Sequence, residues 1–218
     1  MDRGLTVYRA APLLLPLVAG VLLSGCGGRG APASVSAAAS APDWRHAATP
    51  ADRARRRTWR ATWLEALSRA RADGAGAALQ AQGVLFAPDT ALDDPVPPTG
   101  SYRCRTFKLG ARRAGTRQFV AYPAFPCEVT ATGGAIRFRK TGGTQRPVGS
   151  IFTAGSSRAV FLGTLLIGDE THPIGYGRDN SRDMAGFVER IAPRRWRISL
   201  PLPAFDSTLD VIELVPVG

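Results

Sequence analysis

From residue 101 to the C-terminus the chain alternates. Ile136 and Phe138 are interleaved with Arg137 and Arg139, and Trp196, Ile198 and Leu200 with Arg195, Arg197 and Ser199. Successive side chains of a strand point to opposite faces, so a period of two predicts an antiparallel sheet with one wet face. The pattern comes in about eight short stretches, at 101–112, 118–129, 134–140, 147–153, 158–167, 184–191, 194–202 and 208–215, with Gly, Pro, Asn or Ser in most gaps. Strands in this number and order predict an antiparallel up-and-down barrel or a strongly curled sheet. A two-sheet sandwich is the alternative, and strand count alone does not separate the two.

One stretch departs from the alternation. Val160-Phe-Leu-Gly-Thr-Leu-Leu-Ile167 is apolar on both faces, so another element must cover its outer side. The expected cover is a helix. Thr49-Pro50-Ala51-Asp52 supplies a cap, a proline at the first helical position and a first-turn carboxylate. Trp59, Trp63, Leu67 and Ala70 follow as one helical stripe, with Gly74 as the stop. Arg53, Arg56, Arg57 and Arg60 fall mainly on other faces and read as a solvated surface. A second short helix is expected at 77–82, closed by Gly83, and residues 88–100, rich in Pro and Asp, form a connector. Residues 44–218 thus make one mainly β domain with an N-terminal helix, similar in outline to lipocalin-like folds.

The N-terminus carries an address. Arg3 and Arg9 precede an apolar run over 11–25 that contains Pro12 and Pro16. A spanning helix needs ~20 apolar residues, so the run reads as a signal peptide over 1–25. Leu23-Ser24-Gly25-Cys26 resembles the bacterial lipobox, which implies a diacylglycerol on the thiol of Cys26. Gly27 and Gly28 follow, without the aspartate associated with inner-membrane retention. The expected location is the outer membrane, facing the periplasm. Residues 26–43 are almost all Ala, Gly, Pro and Ser and form a flexible tether. Membrane attachment is then through the lipid, and nucleic acid is excluded as a partner by the address.

Cys104 and Cys127 remain as an even pair for an oxidising compartment. In a hairpin turning at Gly115-Thr116, Cys104 faces Cys127 and Thr106 faces Phe125, which predicts a disulfide across the hairpin. Pro123 and Pro126 interrupt that ladder. Around it, residues 101–146 carry ten basic residues against Glu128 alone. This basic face suits an anionic surface or an acidic partner, and it equally suits simple solvation. Lys108 and Lys140 are the only lysines; the remaining basic residues of the 28 are arginine.

No phosphate-binding loop, dinucleotide fingerprint, nucleophile elbow or zinc-protease helix occurs, and no cofactor is implied. Two loops hold the candidate ligand-binding residues. In 168–183, His172, Tyr176 and Asp183 stand among Asp169, Glu170 and Asp179. These could serve a hydrolase or metal-dependent enzyme; the competing use is a charged hairpin loop with Arg178 and Arg182 pairing its carboxylates. In 141–149, Gln145 and Arg146 could recognise a carboxylate or phosphate, or satisfy strand-end carbonyls.

Several motifs carry a resemblance: Thr141-Gly-Gly-Thr-Gln-Arg-Pro-Val-Gly149, Val160-Phe-Leu-Gly-Thr164, Tyr176-Gly-Arg-Asp179, Arg182-Asp-Met-Ala-Gly186, Arg195-Trp-Arg197 and Leu209-Asp-Val-Ile-Glu-Leu214. From about Trp59 to Pro216 the chain resembles a bacterial domain-of-unknown-function family, number 4893 in that series, and the resemblance includes Cys104 and Cys127. It implies no activity, cofactor or catalytic residue. The leading expectation is a non-enzymatic lipoprotein that binds a small ligand or an envelope partner. The rivals are an enzyme using the 169–183 loop and a purely structural envelope lipoprotein.

Overall fold

The computed structural model describes residues 43–218. The signal peptide 1–25, the lipid attachment at Cys26 and the tether up to residue 42 lie outside the described residues. Asp43, expected as the tether's last residue, already caps a short helix: its side chain accepts from the Arg45 N–H at 3.0 Å, opening α1 (Trp44–Ala47).

The eight alternating stretches form β1 (Gly100–Ala111), β2 (Phe119–Thr132), β3 (Ala135–Lys140), β4 (Gln145–Thr153), β5 (Ala159–Ile167), β6 (Asp183–Ala192), β7 (Arg195–Pro201) and β8 (Ser207–Pro216). Each pairs antiparallel with the next, and β8 returns to pair with β1. The barrel is closed and up-and-down, which decides against the sandwich. At one point the wall bends hard: Gly149 lies opposite Gly163, where a Cβ would come within 2.3 Å of the Val148 carbonyl. The Phe161 ring occupies the space these glycines leave.

The hairpin register differs from the sequence expectation. Cys104 lies opposite Phe125, and Cys127 opposite Tyr102. The disulfide nevertheless forms on the diagonal, with Cα atoms 5.9 Å apart. A slip of two residues keeps every side chain on its face, so both sulfurs still point into the barrel. A bulge sets that even offset: between Arg105 and Phe107, one β1 residue faces Tyr122 and Pro123 of β2, which brings a slip of three near the turn back to two at the cysteines. Pro123 has no N–H to give to the ladder, so the extra residue costs little there. β2 meets β3 only from Cys127 onward, so Pro123 and Pro126 sit in the half of the strand with one neighbour.

Inward-facing Tyr102, Val129, Phe138, Phe161, Val188, Trp196, Ile198, Ile212 and Leu214 fill the barrel around the disulfide. The connector seals that end. Val96 packs on the core, Leu92 bridges to Arg190, and the Asp94 N–H donates to the Ser156 carbonyl at 3.0 Å.

Helices wrap the outside. The single helix expected from Thr49 to Gly74 is two, α2 (Pro50–Arg57) and α3 (Trp59–Ala72), parted at Thr58. The Thr58 hydroxyl donates back to the Arg55 carbonyl at 3.2 Å, a competitor for the helical ladder. α4 (Gly76–Gln80) and a 3-10 turn (Gly83–Phe86) follow. The cover on the doubly apolar strand also differs in detail. Val160 and Leu162 of β5 are covered by α1 and Trp59, together with Ala48 and Phe187. Trp63, Leu67 and Ala70 instead pack on Phe107, Leu109, Leu209 and Val211 of β1 and β8.

The wet face expected on β7 is dry at Arg197 and Ser199. Arg197 pairs with buried Glu189 at 2.7 Å and donates to the carbonyls of Leu85 and Ala87 at 2.8 and 2.7 Å. Those carbonyls end the 3-10 turn and need donors, which a guanidinium supplies from the sheet. Arg137 and Arg139, with no helix above them, stay exposed.

Candidate functional site

At the end away from the connector, the barrel is less completely filled. The first half of β2 parts from β3 there, and the β3–β4 turn folds over Phe125. A cavity of about 230 Å³ opens between them, lined by Thr106, Lys108, Tyr122, Phe125, Lys140 and Gln145. A second hollow of about 200 Å³ shares Lys108 and Tyr122 and reaches the exposed Arg113 and Arg117.

The alternation that aims Tyr102 and Cys104 inward also aims Lys108, two positions further along β1 than Thr106. On β3, Ile136 and Phe138 are followed inward by Lys140. The two lysines are 8% and 5% exposed, deep for a residue type that is almost never buried without a partner. Their surroundings differ. Lys108 lies opposite Asp210 in the β1–β8 ladder, with its ammonium 3.8 Å from both Asp210 and Asp206. Burial pushes the Asp210 carboxyl up, against the pull of Lys108. The Lys140 ammonium has no carboxylate within 4 Å among the described residues. It donates to the Gln145 carbonyl at 2.9 Å and sits 4.7 Å from the centre of the Phe125 ring. Burial, then the charges of Arg146 and Lys108, pull it down to about 8.

The five residues chosen from the loops do not form one site. Gln145 lines the cavity and positions Lys140. Arg146 staples two loops, donating to the carbonyls of Gly143, Gly168 and Glu170 at 2.9, 2.6 and 2.6 Å. Tyr176 is a latch: its hydroxyl donates to Asp52 of α2 at 2.5 Å and accepts from the Thr49 N–H at 3.1 Å. Burial and then that carboxylate push the phenol up. Asp183 is buried beneath the same loop and accepts from the Gly177 N–H at 3.0 Å, with burial raising its carboxyl. His172 is exposed, and its Nδ1 contacts only the neighbouring Thr171 hydroxyl at 2.9 Å. The loop's carboxylates serve the loop: Arg182 grips Glu170 at 2.6 Å and Asp179 at 3.4 Å, while Arg178 takes no part in these pairs. Among the described residues no group of His, Cys, Asp and Glu is arranged to hold a metal.

Lys108 and Lys140 were absent from the candidates drawn from sequence, although one signal pointed to them. In a chain that uses arginine for nearly every cation, both lysines fall on inward-facing positions of predicted strands. Arginine's five-donor fork is large and permanently charged, whereas lysine is a compact point charge whose proton can be displaced by burial.

The fold and site define a closed, helix-wrapped antiparallel barrel with a small cationic mouth. The chain belongs to the family described as domain of unknown function (DUF4893), whose family model matches residues 44–214. No curated protein and no solved structure matches it.

Proposed function

We propose that the protein is a binding module whose barrel mouth takes a small anion with an apolar portion. The carrying observation is the pair of nearly buried lysines on a cavity with one aromatic wall. Pockets for small molecules combine apolar walls with a few convergent polar groups, and Phe125, Tyr122 and Pro123 provide the wall here. A cavity of about 230 Å³ suits a short carboxylic or phosphate-bearing molecule. The filled core beneath leaves no deep lumen for a larger guest.

Isothermal titration of the folded chain with benzoate and with inorganic phosphate tests this. Saturable binding of one of them, weakened about tenfold or more in Lys140→Gln as the loss of a charge-assisted contact requires, supports the site. Absence of binding by both anions would refute it.

The sequence from Leu23 to Cys26 and the Ala/Gly/Pro/Ser stretch after it support a lipid-tethered address at the outer membrane, facing the periplasm. A second reading has one specific support. Arg103, Arg113, Arg117, Arg137 and Arg139 are exposed and make no ion pair among the described residues, so this face suits an acidic envelope partner. The 169–183 loop gives an enzyme reading little to build on, because His172 faces solvent and Glu170, Asp179 and Asp183 are engaged by Arg182 and backbone amides.

A further inference from the structure

Resting on the anion-binding reading above, we propose that Lys140 forms a reversible imine with a small oxo acid, an aldehyde or ketone bearing a carboxylate, whose carboxylate is held by Lys108. The two lysines are set for different tasks by what surrounds them. Lys108 faces two carboxylates at 3.8 Å, beyond hydrogen-bond range, so its N–H donors remain available to a bound carboxylate, and burial, which pushes the Asp210 carboxyl toward its neutral form, lessens the negative charge beside it. Lys140 faces no carboxylate within 4 Å among the described residues. The groups facing it are the aromatic ring of Phe125, the Gln145 carbonyl, and the cations Lys108 and Arg146. A desolvated amine beside another cation is the arrangement that activates lysine as a nucleophile toward carbonyl carbon. With the amine drawn down to about 8, roughly a tenth of it is neutral at pH 7, against fewer than one in a thousand for an ordinary lysine.

The step balances without an oxidant or a reductant. The Nζ lone pair attacks the carbonyl carbon, giving a carbinolamine. The two nitrogen-bound hydrogens and the carbonyl oxygen then depart as water, and a carbon–nitrogen double bond remains. The Gln145 carbonyl, 2.9 Å from Nζ, orients the amine by accepting one N–H and leaves the lone pair free for the cavity side.

The test is read at the lysines, since the chain has two, Lys108 and Lys140, and the α-amino group, whose ordinary value is also about 8, labels independently of the site. The full chain is incubated with glyoxylate and sodium cyanoborohydride, and intact mass and peptide mapping are read. The expected result is one carboxymethyl group on Lys140 and little or none on Lys108, with a rate at Lys140 that rises as pH passes through about 8. Lys140→Arg, which keeps the cation and lacks the amine, is expected to lose the lysine label without transferring it to Lys108, while remaining folded. Lys108 labelled as fast as Lys140 would overturn the proposal, as would no labelling of Lys140. Benzoate binding without glyoxylate labelling overturns the imine and leaves the binding site standing; failure of both removes the site as well.

Discussion

Lys140 shows how a single residue ties burial to function. Its amine is held in a folded state that disfavours the charge, with a lowered value of about 8 against 10.5 for the ordinary group. The unfolded chain therefore binds more protons between those two values. The destabilising effect of burying this charge is fully present below about 8 and is relieved as pH rises toward 10.5. Chemical denaturation of the wild type and Lys140→Met across this window is expected to show the wild type gaining stability relative to the variant as pH rises. A gap that stays constant with pH would contradict the lowered amine. The proposed anion affinity at the mouth is expected to run the other way, falling as pH rises through about 8 and the ammonium is lost. Tyr176 makes a separate prediction. Tyr176→Phe removes a donor from buried Asp52 and an acceptor from the Thr49 N–H, which should cost about 1–3 kcal/mol in thermal or urea unfolding. Anion binding at the mouth is expected to persist in that variant, because the latch belongs to the helix cover.

At the scale of elements, the helices and the sheet depend on each other. Trp63 is fully buried between α3 and the outer faces of β1 and β8, and its indole N–H donates to the Phe86 carbonyl at 3.1 Å. Trp63→Ala is expected to cost about 3–5 kcal/mol by urea denaturation. Trp59, half-buried on Phe187 with ring centres 5.4 Å apart, is expected to cost less. Near-equal losses would mean that the two indoles share one cover. The β1–β2 hairpin depends on its staple. Cys104 and Cys127 are separated by 23 residues, and in the chain-entropy model a loop of that size is stabilised by roughly 3 kcal/mol. Thiol counting on the unreduced, denatured chain should find neither cysteine free.

At the scale of the whole molecule, closure removes the exposed sheet edges that eight strands would otherwise present, except along the first half of β2. That open half is also where the cavity lies, so the departure of β2 from β3 creates the site. The connector closes the opposite end, and the helices cover only part of the circumference. The proposed attachment belongs to the segment before residue 43. Cys26→Ser is expected to abolish lipidation, read as a loss of acyl mass and release from the membrane fraction. Unchanged mass and fractionation would refute the anchor.

The period of two from residue 101, the capping residues at 49–52 and the indole stripe specified the strands and a helical cover, because each is a local pattern matched to a local geometry, while barrel against sandwich was decided only by β8 closing on β1. Pairing Cys104 with Cys127 was equally legible, since a two-residue slip in register leaves both on the inner face. What local pattern could not carry was the set of partners. Alternation marked Arg197 as facing outward and did not reveal that the 3-10 turn at 83–86 would lay its carbonyls over it. Similarly, the polar loop at 168–183 drew attention through its composition, while its charges are spent on holding the loop. Lys108 and Lys140 lie 32 positions apart in the chain, and only the parting of β2 from β3 brings them to one cavity. Strands and helices follow from neighbours in sequence; this site follows from barrel closure, which joins residues the sequence keeps apart.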